Sequence, residues 1–297
     1  MRAQAAAVFL MLLVSACGGR PPNSPDPPPP PPPPPPARPE TFVGAGDIGW
    51  CGLPGAAQTA ALLDSIPGTV FTLGDNAYFD GTIRDYFQCY DPHWGRHKDR
   101  TFPTPGNHEY HTPGAAGYFD YFGPAAHPPD GYYSYPLGAW RIYALNSEIS
   151  AFPGSPQHTW LRGDLAASPT KCVLAYFHTP LFGSGTNGSN PQMQAVWVLL
   201  YEAGADVVIS AHDHNYERFA LQDPNGRADP QRGIRQFVVG TGGGQLTPFR
   251  TIRANSEVRN NTTWGVLKLT LHPDRYDWQF VPVAGQSFSD MGSQSCH

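Results

Sequence analysis

Five short polar clusters, each placed directly after an apolar run, constrain the fold of this chain more than any other feature. The runs are rich in apolar, β-branched and aromatic residues, as strands are, and they cover residues 41–43, 69–73, 101–104, 172–177 and 206–210. The clusters that follow them are Gly46-Asp47-Ile48-Gly49, Gly74-Asp75-Asn76-Ala77-Tyr78, Gly106-Asn107-His108-Glu109, His178, and Ala211-His212-Asp213-His214. Because the ligand crevice of an open α/β sheet lies at the carboxyl ends of the strands, five such ends can converge on one place. The pattern therefore predicts an α/β fold with one polar site.

The side chains of these clusters are suitable metal ligands. Each cluster alone is a weak signal, since a Gly-Asp pair after a strand is usually a turn with a capping Asp. A solitary His-x-His motif is also weak, although it places both imidazoles on the same side of an extended strand. Together, the clusters supply carboxylate, phenol, amide and imidazole groups for two adjacent metal ions, with one carboxylate left to bridge them. The combination predicts a two-metal site.

In their order, the clusters resemble the calcineurin-like metallophosphoesterase superfamily. Tyr78, three residues after Asp75, makes the chain similar to the purple acid phosphatases of that superfamily. The segment His212-Asp213-His214-Asn215-Tyr216-Glu217-Arg218 strengthens this likeness, and the resemblance runs from about Val43 to Arg218. It implies a four-layer α/β/β/α sandwich, in which two mixed β-sheets are flanked by helices.

The resemblance also implies a ligand set, residue by residue. The first metal would be bound by Asp47, Tyr78 and His214, the second by Asn107, His178 and His212, and both by Asp75 as a bridge. Phenolate and carboxylate oxygens favour a hard trivalent ion, whereas neutral imidazole and amide ligands suit a divalent one. The expected pair is therefore Fe(III) with Fe(II), Zn(II) or Mn(II). His108 is not a ligand in the family, and its implied role is general acid to the leaving alkoxide or hydrogen-bond donor to the phosphate.

The chain departs from the family pattern in two places. Ala211 stands where a Gly usually precedes His-x-His, which exchanges one small residue for another. Plant members carry a His pair shortly beyond the ligand equivalent to His178, where this chain has Asn187 and Gly188. Substrate contacts from that loop are therefore not carried over, whereas all seven metal ligands are.

The implied function is a dimetal phosphatase that hydrolyses phosphomonoesters by attack of a metal-activated water or hydroxide. Two metals roughly 3.5 Å apart clamp a phosphate, lower the pKa of a bound water and offset charge on the attacking and leaving oxygens. A phosphodiesterase or nucleotidase of the same superfamily is the main alternative. A non-catalytic surface lipoprotein with an inactive phosphatase fold is another, but its usual mark is missing ligands, and none is missing here. The expected partner is a small phosphate ester; a net charge of −5 without a basic tract does not support nucleic-acid binding.

The N-terminal segment predicts export and attachment to a membrane. Residues 1–16 read as a signal peptide, with one basic residue and an apolar stretch too short to span a bilayer. Val14-Ser15-Ala16-Cys17 resembles a bacterial lipoprotein signal with Cys17 lipidated; an ordinary signal peptide cut near Ala16 is the alternative. Residues 17–39 are a proline-rich linker, and the prolines at 27–36 are expected to form a stiff spacer of about 30 Å. We therefore expect an exported lipoprotein on the periplasmic or cell-surface side of its membrane.

Residues 40–297 are expected to form one catalytic domain, because no second linker or repeat divides them. Helices are predicted over 54–66, 82–90, 157–167 and 191–203, and C-terminal strands over 233–239, 264–272 and 275–283.

The four cysteines after Cys17 suggest two disulfides with three possible pairings. Cys51 with Cys89 is preferred because both follow predicted metal-bearing loops, which leaves Cys172 with Cys296; metal ligation is the alternative.

The sequence leaves two interpretations for each of two further motifs. Thr241-Gly242-Gly243-Gly244 could cradle a phosphate with backbone amides or could form a plain glycine-rich turn after a strand. Glu217 and Arg218 are predicted either as a pair that supports the histidine ligands or as a surface ion pair.

Overall fold

The computed structural model describes residues 38–297. The predicted signal peptide at 1–16, Cys17 and the linker up to residue 37 therefore lie outside the described residues. Within residues 38–297, no helix is both long enough and apolar enough to cross a membrane.

The first sheet has six strands in the order β13-β12-β11-β1-β2-β3. Numbered along the chain, they are β1 (Glu40–Ala45), β2 (Thr69–Thr72), β3 (Thr101–Phe102), β11 (Gly265–Leu271), β12 (Arg275–Pro282) and β13 (Met291–Ser295). β1, β2 and β3 are parallel, whereas β11, β12 and β13 each run antiparallel to their neighbours. β11 and β12 form a hairpin, since Leu271 pairs with Tyr276 across the turn. The three parallel strands end at one edge, where three of the polar clusters begin.

The second sheet has seven strands in the order β10-β8-β9-β7-β6-β5-β4. They are β4 (Tyr133–Leu137), β5 (Trp140–Ala144), β6 (Cys172–Tyr176), β7 (Val207–Ser210), β8 (Tyr216–Phe219), β9 (Arg235–Val239) and β10 (Ser256–Asn260). β5, β6, β7 and β9 are parallel, and the other pairings are antiparallel. Both sheets are thus mixed, as predicted, and β6 and β7 lead into His178 and the segment His212-Asp213-His214.

Helices cover the outer faces of the two sheets. They are α1 (Gly55–Ser65), α2 (Ile83–Asp85), α3 (Ala116–Phe122), α4 (Pro156–Ala167) and α5 (Gln194–Glu202), with a π-helical turn at Tyr86–Tyr90 and 3₁₀ turns at Trp94–Arg100, Glu109–His111, Pro113–Ala115, Gly123–Ala126 and Pro191–Met193. Ala60 of α1 is buried with the first sheet, whereas Leu161 of α4 and Trp197 of α5 are buried against the second. The four-layer α/β/β/α arrangement is therefore confirmed.

Aromatic side chains join the inner faces of the two sheets. Phe42 of β1 lies edge-on to Tyr176 of β6, with 5.7 Å between ring centroids. Phe102 of β3 stacks on Tyr135 of β4 at 4.2 Å. Such rings bury large apolar areas and prefer these offset and edge contacts. Their packing sets the two sheets face to face, so that the carboxyl ends of β1–β3 meet those of β6 and β7.

Two disulfides are formed, in the preferred pairing. Cys51 bonds to Cys89 and Cys172 to Cys296. The first joins the loop after β1 to the π-helical turn, and the second joins the start of β6 to the residue after β13. Both bonds close long loops and so restrict the unfolded chain. Because these cysteines are paired with one another, the Cys172, Asp206 and Cys296 group offers no thiolate to a metal.

Candidate metal centre

The carboxyl ends of β1 and β2 bring the predicted ligands of the first metal together. The Tyr78 hydroxyl lies 2.9 Å from Asp47 Oδ1, 3.2 Å from Asp75 Oδ2 and 2.9 Å from His214 Nε2. Three side chains from three separate clusters thus surround one phenol oxygen.

The predicted ligands of the second metal meet on the other side of Asp75. His178 Nε2 lies 3.0 Å from Asn107 Oδ1, 3.2 Å from His212 Nδ1 and 3.3 Å from Asp75 Oδ2. The structure therefore brings all seven sequence-predicted ligands into one site.

The ligand atoms fall into two overlapping groups. Asp75, His178 and His212 form one, and Asp47, Asp75 and His214 form the other; within each, one ligand atom per residue lies within 4.8 Å of the others. Asp75 belongs to both groups, which is the placement that a bridging carboxylate requires. The donor set fits two cations, with more oxygen donors on the Tyr78 side and more nitrogen donors on the His178 side.

The charges at the site also call for cations. Asp47 and Asp75 are buried, and within residues 38–297 their ion-pair partners are histidines rather than Lys or Arg. Buried carboxylates are costly unless they are paired or bound to metal. Burial lowers the pKa of His178, but Asp75 outweighs this and raises it to about 10; His214 is raised to about 9 because Asp47 likewise outweighs its burial. Without metal, the neighbouring carboxylates thus favour protonated imidazoles. Metal binding displaces these protons.

Two of these histidines are fixed in the tautomer that metal binding needs. His178 Nδ1 donates to the carbonyl of Leu73 at 2.7 Å, and His214 Nδ1 donates to the carbonyl of Gln245 at 2.8 Å. In both rings Nε2 is then left facing the site. Metal-bound histidines commonly donate their other ring N–H in this way.

Three of the six non-glycine residues with a positive φ in the described part of the chain are predicted ligands. Asp47, Asp75 and His212 have φ values of 57°, 47° and 69°, in the left-handed region that residues other than Gly seldom occupy. Such conformations cost free energy and cluster at functional sites. They persist here because hydrogen bonds hold them, such as His212 N to Asp47 Oδ2 at 3.0 Å and Asp47 N to the Gly74 carbonyl at 3.1 Å.

Close packing explains the glycines around the centre. A Cβ on Gly106 would lie 2.4 Å from Asp75 Oδ1, and one on Gly240 would lie 2.4 Å from Asp47 Oδ2. In the segment 241–244, the Gly242 amide donates to the Gly46 carbonyl at 2.9 Å and the Gly244 amide to the Asp47 carbonyl at 2.7 Å. These two amides are bonded within the protein, which favours a glycine-rich turn beside the centre over a phosphate cradle.

Glu109 organises the two metal loops, a role that the sequence did not reveal. Its buried carboxylate accepts hydrogen bonds from the amides of Asp75 at 2.9 Å, Asn76 at 2.8 Å and Gly106 at 2.7 Å. The Tyr86 hydroxyl also donates to it, at 3.0 Å. The one sequence feature that could have pointed to this role is the position of Glu109 directly after His108 in the third cluster.

Two buried carboxylates hold the loop at residues 183–188 against the His-x-His segment. Asp213 accepts from the amides of Asn187 at 2.7 Å and Gly188 at 3.1 Å. Glu217 accepts from the Ser184 amide at 2.9 Å. The loop that carries Asn187 and Gly188 is therefore tied to the residues that follow His212.

Glu217 and Arg218 do not form either of the predicted pairs. They are neighbours on β8, so their side chains point to opposite faces of the sheet. Glu217 is buried against the loop at 183–188, whereas Arg218 Nε donates to Asp290 Oδ2 at 2.7 Å. Glu217 is thus not paired with Arg218, and its carboxylate instead contacts the loop at 183–188.

His108 lies at the rim of the centre, oriented by its own neighbours. Its Nδ1 donates to the carbonyl of Phe79 at 2.6 Å, and its Nε2 lies 3.8 Å from Asp75 Oδ2. His111 also contacts the Phe79 carbonyl, at 3.2 Å, but is more exposed and has Asp80 as its carboxylate neighbour. His108 is therefore the histidine with a nitrogen free to face a bound substrate.

The chain is similar to known phosphatases. Purple acid phosphatase 15 of Arabidopsis thaliana is 28% identical over 220 residues, which cover 61% of this chain and 41% of that protein. Purple acid phosphatase 22 of the same plant is 34% identical over 118 residues, covering 38% of this chain and 27% of that protein. The chain thus spans less than half the length of these curated relatives.

Solved structures show the same fold. A purple acid phosphatase from yellow lupin (Lupinus luteus) seeds has a TM-score of 0.72 and 21% identity, covering 87% of this chain and 54% of that one. GAP50, the anchor in the inner membrane complex of Plasmodium, has a TM-score of 0.69 and 14% identity, covering 88% of this chain and 90% of that one.

The family match includes the whole centre. Residues 41–216 match the calcineurin-like phosphoesterase family, a span that begins in β1 and ends after His214. It covers more than half of the chain and contains every cluster that the two sheets bring together. This chain is therefore a member of the calcineurin-like phosphoesterase family.

Proposed function

We propose that the protein is a dimetal phosphatase that hydrolyses phosphomonoesters. Family membership supports a hydrolase acting on phosphoric esters. The observation that carries the narrower proposal is Tyr78, whose hydroxyl contacts both Asp47 and Asp75 at the centre of the site. A phenol in that position is the feature that makes the chain similar to purple acid phosphatases.

The residues divide the work as follows. Asp47, Tyr78 and His214 would hold the first metal, Asn107, His178 and His212 would hold the second, and Asp75 would be shared between them. When bound, the metals supply a clamp for the phosphate and a water of lowered pKa. Glu109 holds the loops of Asp75 and Gly106 next to each other by accepting hydrogen bonds from both. His108 gives its Nε2 proton to the departing oxygen.

A rate comparison tests the proposed reaction. The full chain is loaded with iron and a divalent metal, and kcat/KM is measured on p-nitrophenyl phosphate and bis(p-nitrophenyl) phosphate, which share a leaving group. We expect the monoester to be hydrolysed faster. Faster hydrolysis of the diester would assign a phosphodiesterase, and a metal-loaded protein that hydrolyses neither would be a binding module.

Colour tests the identity of the first metal. A phenolate bound to Fe(III) gives a visible charge-transfer band, so Tyr78→Phe is expected to abolish that band while iron stays bound. Tyr118→Phe is the matched control, because Tyr118 is equally buried but donates to the Pro103 carbonyl away from the centre. The measurement is the visible spectrum with iron content per chain. An active, iron-loaded wild type without the band would remove the likeness to purple acid phosphatases and leave the wider family.

We further propose that the protein is exported and held at its membrane by a lipid on Cys17. The two disulfides support an oxidising compartment outside the cytoplasm. The variant Cys17→Ser is expected to lose labelling by radioactive palmitate in cells and to leave the membrane fraction. Labelling that persists in this variant would place any lipid elsewhere, and a wild type without labelling would favour the ordinary signal peptide.

A further inference from the structure

A large aromatic side chain is exposed beside the polar centre. Phe79 follows Tyr78 directly and is 53% exposed. Its ring lies edge-on to Trp50, with 4.5 Å between centroids, and 6.0 Å from the ring of Tyr78. Single exposed apolar side chains are common. Phe79 differs from the others in its position, because its ring adjoins the ring of a predicted ligand.

The loops that carry the predicted ligands also fix these two rings. Trp50 packs against Tyr78 at 4.9 Å and faces His214 at 6.2 Å. The backbone of Phe79 is held by His108, whose Nδ1 donates to its carbonyl at 2.6 Å. Residues of the centre thus hold the Trp50 ring and the backbone of Phe79. The surface formed by Trp50 and Phe79, here called the aromatic platform, is therefore preorganised at the rim on the Tyr78 side.

We propose that the aromatic platform binds the planar aromatic group of a phosphate monoester, so that aryl phosphates are the preferred substrate class. This inference rests on the proposed phosphomonoesterase function. A phosphate held between the ligand groups leaves its ester oxygen at the rim of the centre. There His108 Nε2 lies 3.8 Å from Asp75 Oδ2, and the Phe79 ring adjoins the ring of Tyr78. A planar group on that oxygen can stack on or lie edge-on to Phe79 and Trp50, which are the arrangements that aromatic rings favour. A small alkyl group gains no such contact.

Binding of non-hydrolysable phosphonates tests the platform apart from catalysis. Dissociation constants of phenylphosphonate and methylphosphonate are measured by calorimetry on the metal-loaded full chain. For wild type we expect phenylphosphonate to bind more tightly. Phe79→Ala is expected to weaken phenylphosphonate roughly 3- to 10-fold and to leave methylphosphonate unchanged, whereas Phe79→Leu, which keeps apolar surface but no ring, falls between.

The chain offers a matched control for an exposed ring. Phe87 is 60% exposed and lies in the π-helical turn, where it packs on Tyr121 rather than on a residue of the centre. Phe87→Ala is expected to change neither dissociation constant. Metal content is measured for each variant, and a thermal melt checks folding.

The outcomes separate this inference from the proposed function. Equal weakening of both phosphonates by Phe79→Ala, or a wild type that shows no preference for the phenyl compound, would overturn the platform. A wild type that hydrolyses glycerol 2-phosphate with a higher kcat/KM than phenyl phosphate would also overturn it, while leaving the phosphatase intact. A protein that binds phenylphosphonate through Phe79 but hydrolyses no phosphomonoester would retain the aromatic site and refute the function.

Discussion

Asp75→Asn is expected to remove both metals together and to reduce hydrolysis to background. Asp75 is the one residue that belongs to both groups of ligand atoms, and it is buried. A neutral amide neither offsets two cationic charges nor bridges them as a carboxylate does. The substitution keeps the shape of the side chain, and its remaining oxygen can still accept from the His108 amide, which lies 2.9 Å from Asp75 Oδ1. The loss is therefore expected in metal-to-protein ratio rather than in folding.

Asn107→Ala is the matched comparison for that experiment. Asn107 contacts His178, at 3.0 Å, on the second side of the site. Its loss is expected to deplete the divalent metal and to spare the Fe(III) band, because Asp47, Tyr78 and His214 remain. Metal analysis and visible spectra of the two variants decide the ligand division. If Asp75→Asn keeps one metal, or if Asn107→Ala bleaches the protein, the proposed division is wrong.

The convergence of the clusters within each sheet could be predicted because it depends on strand direction. Parallel strands end at the same edge of a sheet, so the clusters after the runs at 41–43 and 69–73 must lie near one another once β1 and β2 are parallel. His178, which follows the run at 172–177 in the other sheet, reaches them only because the two sheets pack face to face. The regular helices were predictable for a similar reason. α1 and α4 lie within one or two residues of the predicted ranges 54–66 and 157–167, since their apolar positions repeat with the helical period.

Elements without an apolar pattern were not predicted. β13 has the sequence Met-Gly-Ser-Gln-Ser and forms the outer edge of its sheet, where pairing with β12 and the bond from Cys296 to Cys172 hold it. The range 82–90, predicted as one helix, divides into α2 and the π-helical turn at Tyr86–Tyr90. A capping box between Thr82 and Asp85 begins it, but no residue pattern signals the change of helical pitch.

The carboxylates that hold the ligand loops in place could not be predicted, since their contacts join distant parts of the chain. Glu109 accepts from amides at positions 75 and 76, and Glu217 from the amide at position 184. A ligand is identified by its own chemistry, whereas a carboxylate that orders a loop is identified only by what folds against it. Among residues 38–297, Glu109 and Glu217 are buried without a Lys or Arg partner, and only the folded chain reveals this.

The second large effect is expected from His108→Ala, which should lower kcat roughly 10²- to 10⁴-fold and leave metal content near wild type. The Nδ1 bond to the Phe79 carbonyl fixes the ring, so the proton that His108 can transfer is carried by Nε2. A proton donor matters most for a basic leaving group. The loss should therefore be smallest for p-nitrophenyl phosphate and largest for glycerol 2-phosphate.

His111→Ala is the control for His108→Ala, because both imidazoles contact the Phe79 carbonyl but His111 has no carboxylate of the centre as its neighbour. If His108→Ala acted only by releasing Phe79, it would weaken phenylphosphonate binding and slow aryl esters more than glycerol 2-phosphate. A general acid predicts instead an unchanged dissociation constant for phenylphosphonate and a rate loss that grows with leaving-group basicity. Loss of both metals in His108→Ala would contradict the assignment and make this histidine a ligand or a structural residue.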